Sequence, residues 1–388
     1  MPSLITDEPI QKNASKKPWT VRRALLRALP FLLLTPLGLL LTWLSTIDAN
    51  VTEKLWSTSV YPVIAQCISA VTGLFPFSVA ELIIVLAIPG AAAALTVFVV
   101  RLVRGKGLRA VITARFVSTL LAIVSTGYFC FVLTGGINYN RLTFSDYSGL
   151  EVRESTSDEL AGLCRSLAEN ANELRAQVNT DENGVFTLSQ SVGETAELAR
   201  TSFSALHERY PVLAGRYSRP KPVVFSRVMS WLDIAGIFIP MTFESNVNVD
   251  MPDYSIPVTM CHEQTHLRGF MREDEANFIA YLACRDSDSI DFRYSGTMLA
   301  LTYSMNALYK ADYDVFCEIY ATYCEGILAD YAFNRAYWKQ FEGPVAETSS
   351  KINDSYLKAN NQSDGVQSYR RMVDLLLAEY RENTQNAK

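Results

Sequence analysis

Three apolar runs without a single charge, Ala28 to Ile47, Leu82 to Val100 and Phe116 to Leu133, constrain this 388-residue chain more than any other feature. Each is about 18 to 20 residues long, enough at 1.5 Å per residue to cross roughly 30 Å of hydrocarbon as a helix. Inside a bilayer the backbone finds no water to bond to, so a spanning segment must satisfy its own amides. The chain is therefore expected to cross a membrane three times. Its mean hydropathy of +0.09 follows from these runs.

Basic residues frame the spans unevenly. Lys12, Lys16, Lys17, Arg22, Arg23 and Arg27 precede the first, and Arg101, Arg104, Lys106, Arg109 and Arg115 lie between the second and third, whereas Lys54 is alone between the first and second. Positive charge stays on the cytoplasmic side. This predicts a cytoplasmic tail over 1–27, a transmembrane region over 28–135 and an extracytoplasmic domain over 136–388. A further apolar segment, about 55–75, carries Ser57, Thr58, Gln66 and Ser69 among its apolar residues and reads as an interfacial helix lying on the outer surface or against the bundle. The first run is longer than a signal-peptide core, and Thr42-Trp43-Leu44 offers no small-residue cleavage pattern, so the run is expected to stay attached. With a net charge of −5 and its basic residues placed at membrane edges, the chain points to the lipid bilayer as partner and to no nucleic acid. Seven cysteines with no Cys-x-x-Cys pair suggest buried free thiols more than disulfides.

Beyond Gly135-Gly136 the chain is long enough for one sizeable domain. Amphipathic helices are expected at Ser157 to Val178 and Ser191 to Tyr210. Short strands are expected at Pro222 to Phe225, Gly236 to Pro240 and Thr242 to Val249, where branched and aromatic residues alternate. Further helices follow over Pro257–Leu267, Asp274–Arg285, Ser295–Tyr309, Tyr313–Phe341 and Gly365–Arg381. The overall class is α+β, mostly α. An edge strand beside an active-site helix can take an extended peptide by strand addition; Phe243 to Val249 is the expected edge, with Phe243, Ser245 and Val247 as substrate-binding residues.

Two of the three histidines fall in His262-Glu263-Gln264-Thr265-His266. On a helix they sit one turn apart on one face, able to share a zinc ion, with Glu263 placed as general base toward a zinc-activated water. Catalytic zinc takes three protein ligands, and the acids Glu273, Asp274 and Glu275 follow. Gly269 can end the motif helix in a left-handed cap, so that a second helix begins near Glu273 and runs back past the metal. Glu273 has Asn277 four residues on, suited to hold a histidine ring from behind. Glu273 is therefore the first choice for third ligand and Glu275 the alternative, although acids in a first helical turn also complement the helix dipole without any metal. Tyr294, Tyr303 and the remaining histidine, His207, are candidates for oxyanion stabilisation.

These residues resemble a family of bacterial membrane proteins catalogued as domain of unknown function 3810. The resemblance runs through Gly136-Ile137-Asn138-Tyr139, Gly236-Ile237-Phe238-Ile239-Pro240, Glu244-Ser245-Asn246-Val247-Asn248, the histidine motif through Phe270, Arg272 to Phe278, and Asn353 to Asn360 with Asp364-Gly365-Val366. It implies a multi-pass protein of the bacterial cell membrane carrying a zincin-like metallopeptidase domain that acts on peptide or protein. Glu273-x-x-Ala276-Asn277 also resembles the Glu-x-x-Ala-Asn element of gluzincin-type peptidases, in which the glutamate binds zinc. The six-residue gap after His266 is shorter than in most of them, and Arg272 stands where the metzincin pattern has its third histidine. Two other readings compete: a non-hydrolytic sensor or peptide-binding module built on the metal site, and a structural zinc. Asp354, Tyr356, Lys358 and Asn360 alternate in a polar segment suited either to covering the cleft or to capping a helix bundle.

Overall fold

The computed structural model describes residues 20–360, 362, 365 and 371–386. The expected cytoplasmic tail up to residue 19, and 366–370 of the last expected helix, lie outside the described residues. Among the described residues, three helices are long and apolar enough to cross a membrane: Val21–Ser45, Val79–Arg104 and Arg109–Thr134. Each exceeds its charge-free run by taking in flanking residues, because helical propensity continues past the point where charges begin.

The chain divides into two compact units. One joins the residues up to Leu37 with Ala87–Phe129. Its first helix is interrupted at Leu33, between Val21–Leu32 and Leu34–Ser45. Pro36 has no N–H to offer the Leu32 carbonyl. Ser125 compensates: its hydroxyl reaches the Leu32 carbonyl at 3.4 Å and the Phe31 carbonyl at 2.7 Å and accepts from the Thr35 N–H at 3.1 Å, as apolar surroundings require.

The other unit joins Gly38–Leu86 with everything from Cys130 onward. The segment expected to lie on the membrane surface is thus part of the domain that carries the histidines. After a π-helical turn over Glu53–Ser57, the helix Val60–Thr72 buries Tyr61, Ala65, Ser69 and Thr72. Two buried ion pairs tie it down. Glu53 takes the Arg141 guanidinium in a two-pronged contact at 2.6 and 3.0 Å, and Arg141 also donates to the Arg268 carbonyl at 3.1 Å. Lys221 donates to the Thr72, Phe75 and Phe77 carbonyls, while its partner Glu244, 3.8 Å away, accepts the Val79 and Ala80 amides at 3.0 and 2.8 Å. A carboxylate there also suits the positive end of the helix that starts at Val79.

The core is helical. Ser157–Arg175, opened by a Thr156/Glu159 capping box, packs along Ile290–Ala311, and the motif helix Ile256–Leu267 and its successor Glu273–Arg285 pack beside them. Asp330 is wholly buried and serves as a hub, accepting from Arg175 Nε at 2.8 Å and Nη2 at 3.3 Å, the Tyr294 hydroxyl at 2.6 Å and the Phe186 amide at 2.7 Å. Every acceptor direction of the carboxylate is thereby used.

Several elements depart from the periodicity. The helix expected over Tyr313–Phe341 is two, Tyr313–Tyr320 and Glu325–Lys339, because Asn172 donates to the Thr322 carbonyl and accepts the Cys324 amide, holding the turn open. The helix expected over Ser191–Tyr210 pauses at Ser202, between Val192–Thr201 and Phe203–Arg209. Pro344–Ala359 is a helix that polar alternation had obscured, with proline in its first turn, where no amide partner is needed. The seven cysteines are all free; Cys164, Cys261 and Cys284 are buried, while Cys67 and Cys317 are exposed.

The small sheet has the order β1-β3-β2, with β1 (Lys221–Pro222) parallel and β2 (Gly236–Ile239) antiparallel to β3 (Glu244–Val247). The expected edge, Phe243 to Val249, is therefore the middle of the sheet. Phe243, just ahead of β3, and Ser245 and Val247 within it are fully buried, and β3 is the central strand, so the expected substrate-binding edge there is corrected. The outer strands are β1 and β2, and β2 is the one that borders the cleft.

Candidate metal centre

The motif helix packs against β2 and β3 and ends at Gly269, whose φ of +84° carries the chain into a left-handed turn. Any side chain here would also collide with Tyr61 and Asn138, since a Cβ would lie 2.9 Å from each. The turn delivers Glu273 at the first position of the next helix, facing back to the histidines.

Three donors converge. His262 Nε2 and His266 Nε2 are 3.1 Å apart, and Glu273 Oε2 lies 3.1 Å from the first and 3.7 Å from the second. Donors 2.0–2.1 Å from a shared tetrahedral centre stand about 3.3 Å from one another, so this triangle has the size of one face of a zinc site. The opposite ring nitrogens are already occupied. His266 Nδ1 donates to the Phe270 carbonyl at 2.8 Å, and His262 Nδ1 faces Asn277 Oδ1 at 2.8 Å. A carbonyl only accepts, so each neutral ring is held as its Nδ1–H tautomer and turns Nε2 toward the cluster, where it is the atom that would lose its proton to bind a cation. Glu273 Oε2 is buried without a hydrogen-bond donor among the described residues. A cation shared by the three atoms is what this donor set fits. His262, His266 and Glu273 form the group of potential ligands, and Glu275 does not join it. Instead Glu275 accepts the Phe144 amide at 2.9 Å and pairs with Arg272 at 3.0 Å.

Electrostatics bind the cluster together. Burial by itself would push His266 down and Glu273 up, but their mutual attraction outweighs it. The histidine is raised to about 9, while the glutamate, helped by His262, is held well below the usual carboxylate range. Glu263 is raised, chiefly by burial, with the two histidines opposing. Its Oε2 is buried without a partner among the described residues. Gly236 on β2 gives this carboxylate room: a Cβ at 236 would stand 2.4 Å from Glu263 Oε1.

A cleft of about 710 Å³ opens over the cluster, within the range of small-ligand and peptide sites. His262, Glu263, His266, Glu273 and Asn277 lie along it, together with β2, Asp233, Phe131, Gly135, Tyr303 and Tyr356. Among the residues weighed for oxyanion stabilisation, Tyr303 borders the cleft, Tyr294 is consumed by Asp330 inside the core, and His207 sits exposed on another helix. Tyr356 reaches the cleft from Pro344–Ala359, accepting a hydrogen bond from the Tyr139 hydroxyl at 3.0 Å. Asp354 and Lys358 pair with each other at 2.8 Å on an exposed part of that helix. Sequence reasoning missed β2 as the cleft wall. The available signal was Gly236, the one residue type that lets a strand approach the motif helix so closely.

Fold and site together define a mostly helical protein with three membrane-crossing candidates and a buried His-His-Glu cluster under an open cleft. The chain belongs to the family described as protein of unknown function (DUF3810), whose model matches residues 56–377. No curated relative and no solved structure matches it.

Proposed function

We propose that this protein is a membrane-anchored, zinc-dependent peptidase of zincin type, with its cleft on the extracytoplasmic side of a bacterial cell membrane. The observation that carries the reading is the convergence of two imidazole Nε2 atoms and a buried carboxylate oxygen beside a second buried carboxylate, Glu263, with a free oxygen in the same cleft. His262, His266 and Glu273 are the residues that would hold zinc; bound there, the ion supplies Lewis-acid polarisation and makes water more acidic. Glu263 Oε2 accepts the proton of the attacking water and returns it to the leaving amine, a task suited to a carboxyl raised toward neutrality. Asn277 and the Phe270 carbonyl fix the rings. The unpaired edge of β2 offers main-chain donors and acceptors to an extended peptide, so the substrate is peptide or protein. Orientation rests on Arg22, Arg23 and Arg27 before the first span and on Arg101, Arg104, Lys106 and Arg109 between the next two.

The test uses the full chain purified in detergent, with peptide cleavage and zinc content measured together. Glu263→Gln should abolish cleavage and leave zinc near one per chain. Biological output that survives this substitution argues instead for a metal-built sensor or peptide-binding module. Unfolding of His262→Ala, with no cleavage by the wild type, argues for a structural zinc.

A further inference from the structure

The helix Val60–Thr72 has two faces with different surroundings. Tyr61, Ala65, Ser69 and Thr72 turn into the domain, whereas Val60, Val63, Cys67 and Val71 form an exposed apolar face. Past the helix end the chain continues through Leu74, Phe75 and Phe77, which are 79%, 44% and 41% exposed. Two residues later the membrane-crossing helix Val79–Arg104 begins. Chain continuity thus places this apolar strip at the level where the span meets the bilayer surface.

Beside the strip lies a second cleft of about 510 Å³, walled by Gly73, Leu74 and Phe75 on one side and by Arg200, Arg216 and Arg219 on the other. Glu197, a carboxylate that also lines the cleft, is held by Arg200 and is stabilised in addition by the nearby charge of Arg219; Arg216 and Arg219 are exposed and form no direct ion pair among the described residues. The loop that carries them is fastened to the helix: the Arg216 amide donates to Gln66 Oε1 at 2.8 Å, and the Ser218 amide to Ser69 Oγ at 2.9 Å. Two guanidiniums are therefore positioned at the lip of an apolar surface. Guanidinium matches phosphate oxygens with paired donors, and exposed apolar residues beside it match acyl chains.

We infer that this cleft binds the phosphate headgroup of an anionic phospholipid, with the acyl chains lying along Val71, Leu74 and Phe75. The lipid is a structural partner of the domain and independent of the metal site. Each basic side chain near an anionic surface strengthens binding roughly fivefold, so removing both should weaken it about 25-fold.

The full chain in detergent is titrated with phosphatidylglycerol or with phosphatidylcholine, and retained lipid is counted by native mass spectrometry. Wild type should prefer phosphatidylglycerol at least tenfold. Arg216→Gln/Arg219→Gln should erase that preference while zinc content and thermal midpoint stay unchanged. Leu74→Ser supplies an independent arm, expected to weaken the lipid without creating affinity for inorganic phosphate. Equal retention of both lipids, or undiminished phosphatidylglycerol binding in the double variant, overturns the inference. Displacement of the lipid by millimolar inorganic phosphate overturns it too, by showing a free-anion site.

Discussion

The position of Glu263 depends on a methyl group that is absent. Gly236 lies on the free edge strand opposite Val247, and an alanine there would put its Cβ 2.4 Å from Glu263 Oε1, 2.9 Å from Glu263 Cγ and 2.7 Å from Thr259 Cγ2. Comfortable non-bonded separations are about 3.5 Å or more, so the carboxylate must retreat by about 1 Å. A displacement of that size at a catalytic group costs up to about 10²-fold in rate, which corresponds to about 2.7 kcal/mol of transition-state stabilisation. The crowding should also destabilise the fold by about 1–3 kcal/mol. None of the three nearest atoms belongs to His262, His266 or Glu273, so metal binding should survive. On the proposed peptidase reading, Gly236→Ala is therefore expected to lower kcat/KM on a quenched-fluorescent peptide library about a hundredfold, with zinc content still near one by elemental analysis. Activity within threefold of wild type would refute the geometric argument, and loss of zinc would refute the claim that the lesion is confined to the base.

Further expectations follow from other contacts. Glu273→Gln should weaken zinc binding more than tenfold by competition with a chelator, whereas Glu275→Gln should leave zinc in place and cost about 1–3 kcal/mol of stability through the loss of a charged acceptor for the Phe144 amide and Arg272. Because His266 is raised against burial to about 9 by Glu273, its contribution to the metal-free fold is full below 6.5 and lost as pH climbs through about 9; Glu273, held low, contributes above 4.5 and loses its contribution as pH falls. The metal-free protein should thus be most stable between 4.5 and 6.5 and weaken toward 9 in pH-dependent melting. Zinc loading at pH 7.5 should release about one proton, read by calorimetry in buffers of different ionisation heat. Asp330→Ala strands the buried Arg175 and should destabilise by about 3–5 kcal/mol in thermal or denaturant melts, and a loss under 1 kcal/mol would refute its role as hub.

Local chemistry made much of this protein legible. The charge-free runs mark where helices can cross a membrane, because length and polarity are properties of a segment alone. The four-residue spacings His262/His266 and Glu273/Asn277 place side chains on shared faces whatever the surroundings, and Gly269 signals its left-handed turn through backbone sterics. Those features depend on neighbours in the chain. Strand order does not: β1, 14 residues ahead of β2, reaches past it to pair with β3, and that crossing alone decides that Phe243, Ser245 and Val247 are buried while Gly236 to Ile239 keep an open edge. The choice between Glu273 and Glu275 was likewise open locally, since both lie in one helical turn; Phe144 and Arg272 draw Glu275 away and leave Glu273 to the histidines. The segment after the first long apolar helix could be read as apolar, but only Tyr61 reaching the His266 carbonyl across 205 positions, with Glu53 on Arg141 and Lys221 on the helix end, makes it part of the domain. Periodicity records which residues share a face, and tertiary packing between distant residues decides what each face meets.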